Sequence, residues 1–311
     1  AFGRAIAPLI VKRIYIPSMD MGTEINDIRH IIKSAGVILK KHEFRAERSG
    51  YYTALTVFTG AKKATEHLGS KVSECTVAIE GFGKVGSALG KLLSDAKASI
   101  VAISTSRGAI YNPKGLNIVR LSQLVKEAGS RVVDIYDEAE HIDRESMLEL
   151  PVDILCPCAR HYTIHAGNAH RISAQIICPG ANSPVTNEAE HILFERGVMC
   201  LPYFVTNSGG VLGGTMEFAS VNKKKIEEFI DLHIGSRLTS ILDEADRQNL
   251  PSVEIAETIA LRCFEKVRQA SAQPKVKARL FELALDLYRR GLIPRPIVGS
   301  LAPRYFERIL P

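Results

Sequence analysis

At 311 residues the chain is long enough for one large domain or two ordinary ones, and 46% apolar and 24% charged residues are ordinary for a globular protein. No apolar run approaches the roughly 18–20 residues that span a bilayer, so no membrane partner is expected. The formal charge of +6 is modest, Trp is absent and no Lys/Arg block is interleaved with aromatics, so no nucleic-acid partner is expected either. A mild positive balance suits an anionic ligand.

The opening residues, AFGRAIAPLI, read as the end of an amphipathic helix without a signal peptide or transit-like segment, and the chain is expected to be part of a longer protein. Arg13-Ile14-Tyr15-Ile16 then predicts a strand that Pro17 breaks. Ile25, Ile28, Ile31, Ile32 and Ala35 recur at helical spacing, which predicts a helix from Glu24 to Leu39. Residues 41–50 are charged and turn-like, and a second helix is predicted from Thr53 to Leu68, ended by Gly69.

From there the pattern changes to short buried strands at 76–79, 100–103, 152–155, 174–178 and 198–201. Helical stretches at 84–96, 119–127, 145–149, 165–171 and 187–196 separate them. Strands alternating with helices predict an α/β fold, a Rossmann-type doubly wound parallel sheet covered on both faces. Beyond Leu212 the strands stop; 215–247 and 252–290 are long helical patterns, and a Pro-rich tail from Gly291 is expected to wrap the surface. The implied division is residues 1–50, 51–211 and 212–311.

Gly81-Phe82-Gly83-Lys84-Val85-Gly86 follows a buried strand and opens a helix, the context in which a Gly-x-Gly-x-x-Gly spacing binds a dinucleotide. The first glycine permits the tight turn, the second lets backbone approach a pyrophosphate, and the third lets helix pack on strand. Free N–H groups at the helix start then face the phosphates. The next strand ends in Ser104-Thr105-Ser106-Arg107 with no carboxylate to receive a ribose 2′-hydroxyl. Thr105 and Arg107 lean the expectation toward the 2′-phosphate of NADP, with NAD left open.

The cysteines Cys75, Cys156, Cys158, Cys178, Cys200 and Cys263 lie mostly in apolar strand-like runs, as buried free thiols of a reducing cytoplasm do. Cys156-Pro157-Cys158 lacks the spacer and second pair of a zinc site, and His161 and His165 have no third ligand nearby, so no metal is expected. Lys223-Lys224-Lys225 reads as a solvated helical face.

These motifs, in order, resemble the glutamate/leucine/phenylalanine/valine dehydrogenases, which interconvert amino acids and 2-oxo acids. Tyr15-Ile16-Pro17-Ser18-Met19-Asp20-Met21-Gly22-Thr23 is similar to the family's YIPAPDVGT-like segment, and Thr53-Ala54-Leu55-Thr56-Val57 stands in the place of TGxGV. The glycine loop, Ala109 to Leu116, Gly180 to Thr186 and Asn207-Ser208-Gly209-Gly210-Val211 follow. The resemblance gives Asp20 the role of the catalytic proton shuttle, although alone it reads as a turn or N-cap residue. It places Thr53 at the nicotinamide end of the cofactor, a residue that otherwise reads as the cap of its helix. It sets Cys158 and Ala159 beside the ribose and nicotinamide, and has Asn182 and Asn207 orient the carboxamide.

The sequence also departs from that family. No glycine-rich segment supplies the substrate lysines, so the chain is expected to be inactive by itself. His161-Tyr162 replaces the usual Glu-Asn, Lys84 replaces a common asparagine, and Gly214 stands where glutamate-specific members carry a serine. The expected function is glutamate-dehydrogenase-like, NAD(P)-dependent deamination of an L-amino acid to a 2-oxo acid and ammonia, by a cytoplasmic enzyme that is homo-oligomeric at full length; Gly214 argues against glutamate as that amino acid. The alternative is a non-catalytic dinucleotide-binding module.

Overall fold

The computed structural model describes residues 1–12, 14–17, 22–38, 48–271 and 276–309. Its centre is a sheet of β1 (Thr76–Glu80), β2 (Ser99–Thr105), β3 (Gly108–Tyr111), β4 (Glu140–Ile142), β5 (Ile154–Pro157), β6 (Ile176–Ile177) and β7 (Met199–Cys200), in the order β4-β3-β2-β1-β5-β6-β7. β1 pairs in parallel with β2 on one side and with β5 on the other. The chain therefore reverses its winding direction at β1, and the crevice between the ends of β1 and β5 is where such sheets bind ligands.

The strands are apolar on both faces because both faces are covered. Val77 and Ile79 of β1 join Ile100 and Ile103 in a core beneath helix α2 (Lys84–Asp95), where Leu89 and Leu93 are fully buried. Ala78 points to the other face, with Ala102, Leu155 and Ile177 under Met147 and Leu148. Helix α1 (Ser49–His67) lies against α2 and is buried along most of its length. Two of its buried hydroxyls are satisfied locally, Thr56 and Thr65 donating to the carbonyls of Tyr52 (3.3 Å) and Ala61 (3.1 Å), whereas among the described residues that of Thr59 has no partner. Helix α3 (Gly209–Phe218) crosses α1 so closely that a Cβ on Gly209 would stand 1.9 Å from the Tyr52 carbonyl oxygen.

The sheet is not wholly parallel. β3 runs antiparallel to β2 and β4 antiparallel to β3, because Ser106-Arg107 closes a two-residue hairpin that the sequence pattern did not reveal. Arg13 lies outside the described residues, and residues 14–17 form no strand: among the described residues no strand pairs them, and Ile14 and Tyr15 instead turn their N–H groups back to the Leu9 carbonyl (2.9 and 3.3 Å). The first long helix is Ile25–Ser34, shorter than the predicted 24–39, since the chain turns at Gly36 with φ +77°. The tail is helical from Arg295 to Ile309; Pro296 sits in the first turn, where its missing N–H costs nothing. The cysteines are free thiols. Among the described residues no helix is long and apolar enough to cross a membrane.

Helix Asn187–Glu195 contributes one group whose charge opposes folding. Burial, together with the carboxylates of Glu257 and Glu254, pushes the Glu190 carboxyl up from 4.5 to about 7. A carboxyl bound more tightly to its proton in the folded state stabilises the fold at low pH, and that contribution is lost as pH rises from 4.5 through about 7. Glu190→Gln is therefore expected to raise the thermal unfolding midpoint by a few degrees at pH 8 and by much less at pH 5, followed by circular dichroism. An equal shift at both pH values would show that Glu190 is ionised throughout.

Candidate functional site

The carboxyl ends of β1, β2 and β5 open on a cavity of about 2550 Å³ that runs along the glycine loop and past the start of α3. β1 ends at Glu80, and the chain turns through Gly81 at φ +92°, a conformation that glycine adopts without strain. A Cβ at Gly81 would lie 2.6 Å from the Ala159 methyl, and one at Gly86 would lie 2.0 Å from the Gly81 carbonyl oxygen. Both glycines are thus required by the protein's own packing. Gly83 is different: a Cβ there would meet nothing within 4 Å. Its openness serves no protein contact, and it leaves room for a ligand against the backbone.

The turn is fixed from β2. Ser104 Oγ accepts the Gly81 N–H (3.0 Å), and the Ser104 carbonyl accepts that of Phe82 (2.7 Å). The Phe82 ring is buried toward Gly90, so this residue packs the loop onto α2 and only borders the cavity. The first bond of α2 runs from the Ser87 N–H to the Gly83 carbonyl (2.9 Å), which leaves the N–H groups of Lys84, Val85 and Gly86 without partners inside the helix. Lys84 and Val85 line the cavity with Gly83, and that row of donors at a positive helix end is matched to a pyrophosphate.

From β5, the Cys158 N–H donates to the Glu80 carbonyl (2.7 Å) and the Ala159 N–H to Glu80 Oε2 (3.2 Å). Glu80 was not among the residues singled out from the sequence, where its one signal was a charge closing an apolar strand. It is 5% exposed, and burial pushes its carboxyl up although the Ala159 N–H, Arg160 and Arg144 pull the other way. Burial also raises the Cys158 thiol, which lines the cavity as a neutral group.

At the other end of the cavity Asn207 Nδ2 donates to Asn182 Oδ1 (2.7 Å) and to the Ala181 carbonyl (3.2 Å). That pairing uses neither N–H of the Asn182 amide nor the Asn207 carbonyl oxygen, and a donor beside an acceptor is the complement of a carboxamide. Thr53 also lines this end, but it lies within α1 and does not cap it: its hydroxyl donates to the Ser49 carbonyl (3.1 Å). Gly214 is buried in α3 and borders the same space. One turn further along α3, Glu217 holds Arg48 (2.7 Å) and accepts the Tyr52 hydroxyl (2.9 Å), so the cation on this wall is already balanced.

Other sequence candidates fall elsewhere. Asp20 lies outside the described residues. Thr105 borders the cavity, yet its hydroxyl is committed to the Ser130 carbonyl (2.8 Å). Arg107 is not on the cavity wall; it pairs with Asp134. His165 caps helix Ala166–Ala169 through Nδ1, and among the described residues no cluster of His, Cys, Asp or Glu is placed to hold a metal. Lys223 and Lys224 pair with Glu227 and Glu228 one turn on, as a solvated face does.

Residues 47–273 match the model of the glutamate/leucine/phenylalanine/valine dehydrogenase family. The chain belongs to that family. A glutamate dehydrogenase of Thermotoga maritima is 46% identical over 149 residues, 48% of this chain and 35% of that one. An NADP-specific glutamate dehydrogenase A1 of Halobacterium salinarum is 31% identical over 275 residues, 84% of this chain and 65% of that one. This chain therefore spans between a third and two thirds of the length of these two dehydrogenases. Its fold matches that of the hetero-hexameric glutamate dehydrogenase of Thermus thermophilus at a TM-score of 0.71 and 18% identity, over 88% of this chain and 70% of that one.

Two glycine substitutions separate what this loop does for the fold from what it does for a ligand. Gly86→Ala is expected to lower the melting temperature by several degrees, since its methyl meets the Gly81 carbonyl. Gly83→Ala is expected to melt like the parent and to bind NADH and NADPH about tenfold or more weakly, read by quenching of nicotinamide fluorescence. Unchanged binding by Gly83→Ala would remove the loop from the site.

Proposed function

We propose that this chain carries the cofactor half of an NAD(P)-dependent L-amino acid dehydrogenase, with the substrate lysines supplied by sequence outside these 311 residues. The observation that carries this reading is the open backbone at Gly83 beside the unpaired N–H groups of α2. It is a cradle shaped for phosphate that the fold does not otherwise need. The same reading treats residues 1–50 as the end of a substrate domain, 51–211 as the dinucleotide domain and 212–311 as helices that complete the molecule.

When bound, the nicotinamide supplies hydride exchange with the amino acid α-carbon. The chain's own residues do the rest. The N–H groups of Lys84 to Gly86 hold the pyrophosphate, with the Lys84 side chain adding charge. Asn182 and Asn207 fix the carboxamide, which selects the face of the ring that is presented. Thr53 and Gly210 border that position, where a Cβ on Gly210 would stand 2.6 Å from Thr53 Oγ1. Asp20 is assigned the proton transfers to and from the amine and the attacking water, which a carboxylate near the reacting carbon performs. Gly214 offers no side-chain donor, and Arg48 is balanced by Glu217, so the substrate is an amino acid other than glutamate.

The test uses the whole protein with ammonia, a panel of 2-oxo acids, and NADH or NADPH, followed by nicotinamide absorbance. Turnover is expected with oxo acids that lack a side-chain carboxylate. Asp20→Asn is expected to lower kcat about a hundredfold or more while leaving dinucleotide affinity unchanged. Tight dinucleotide binding without turnover of any oxo acid would mark the protein as a binding module. The changed His161-Tyr162 pair and Gly214 would accord with that outcome.

A further inference from the structure

Glu80 closes β1 after the apolar residues Val77, Ala78 and Ile79, directly before Gly81. Side chains alternate along a strand, so Glu80 shares the face of Ala78, away from α2. Only 5% of the residue is exposed, yet it borders the cavity. Among the described residues it forms no salt bridge, and its Oε2 accepts the Ala159 N–H (3.2 Å). The Ala159 nitrogen in turn lies 2.9 Å from where a Cβ on Gly81 would stand. Two short contacts in series therefore tie this carboxyl to the turn that opens the glycine loop.

The charged and titratable groups that act on Glu80 come from two elements. Arg160 and the Cys158 thiol belong to the loop after β5, and Arg144 begins the helix Arg144–Leu148, which packs on β1. Lys84 and His161 border the same cavity. The two arginines favour the ionised carboxyl, but both are exposed, and burial outweighs them and tightens the hold of Glu80 on its proton.

A pyrophosphate at the N–H groups of Lys84 to Gly86 brings two further negative charges to the same turn. Like charges in an enclosed site disfavour one another, because little water is present to screen them. A proton on Glu80 relieves that repulsion without moving the chain. The neutral carboxyl still accepts the Ala159 N–H through its carbonyl oxygen, so the turn keeps its geometry.

We propose that dinucleotide binding is coupled to the uptake of a proton at Glu80, so that this cavity holds its dinucleotide less tightly as the pH rises. The proposal rests on the dinucleotide reading given above and concerns the regulation of that same site. Glu80 acts in it as a positioning residue, through Ala159 and the glycine loop.

Calorimetric titration of the whole protein with NAD and with NADP, from pH 5.5 to pH 8.5 in buffers of different ionisation enthalpy, counts the protons taken up on binding. The parent is compared with Glu80→Gln, which keeps the acceptor and lacks the charge. A second comparison is Glu190→Gln, which removes a carboxyl raised to about 7 that does not border the cavity. The 2′-phosphate of NADP titrates in this range, so with that ligand the difference between parent and variant is the quantity read.

The parent is expected to take up a substantial fraction of a proton and to bind NAD about tenfold more tightly at pH 5.5 than at pH 8.5. Glu80→Gln is expected to take up no proton with NAD, and its affinity to vary less than twofold over the same range. Glu190→Gln is expected to behave as the parent does. Binding by the parent without proton uptake would overturn the proposal and leave the dinucleotide reading in place. So would uptake that persists in Glu80→Gln, or that disappears in Glu190→Gln. Failure of both cofactors to bind the folded parent would overturn the dinucleotide reading, and the proposal with it. Melting curves establish that each variant is folded, and the proton count of the parent with NAD depends on no variant.

Discussion

The turn between β1 and α2 is held from β2, from the loop after β5 and from α2 itself, and the geometry of the whole cavity follows from that hold. Ser104 reaches across from β2 with both its hydroxyl and its carbonyl, and takes the N–H groups of Gly81 and Phe82. From β5, Ala159 presses against Gly81 and donates to the Glu80 side chain. Gly86 closes the arrangement by touching the Gly81 carbonyl. Because these contacts consume the donors of Gly81 and Phe82, the donors left over are those of the first turn of α2. They all point one way, at the end of a helix whose axis is fixed by Leu89 and Leu93. An anion site is the consequence of satisfying the turn and leaving the helix start unsatisfied.

Charge within the cavity is allotted in the same manner, by what is already paired. Arg48 is answered by Glu217 and Arg107 by Asp134, so neither wall offers those cations to a ligand. Glu80 is an exception on the acidic side: it is enclosed, its carboxyl is pushed up by burial, and its partners are a backbone N–H and the field of two exposed arginines. Close contacts of glycine with backbone serve a separate end. Gly209 and Gly213 bring α3 against Tyr52 of α1, and that crossing sets Gly210 and Gly214 at the edge of the same space.

Much of this was legible from the residues, and the limits of legibility have physical causes. β1, the loop and α2 fall where the apolar run and the glycine spacing put them, because a fully buried strand and a helix start each leave a local signature. β3 and β4 left none: the first is four residues long and the second is a polar edge strand, and both exist through pairing with β2 and with each other. Residues 14–16 show the converse, an apolar run with the composition of a strand but, among the described residues, no neighbour to pair with. Of the site, Gly81, Gly83, Lys84, Val85, Cys158, Asn182, Asn207, Thr53 and Gly214 do meet at one cavity. Glu80 escaped notice because its relevance depends on which loops converge, and Arg107 misled because its partner Asp134 comes from the short helix Val132–Ile135.

The central claim is that the row of N–H groups at the start of α2 receives a dinucleotide pyrophosphate. Amide hydrogen exchange of the whole protein, with and without saturating NADPH, addresses those atoms directly. The account predicts slowed exchange at Gly83 to Gly86, with little change at Phe82, whose N–H is already held by Ser104 (2.7 Å). Saturation without slowed exchange at Gly83 to Gly86, or with protection confined to another part of the chain, would contradict it.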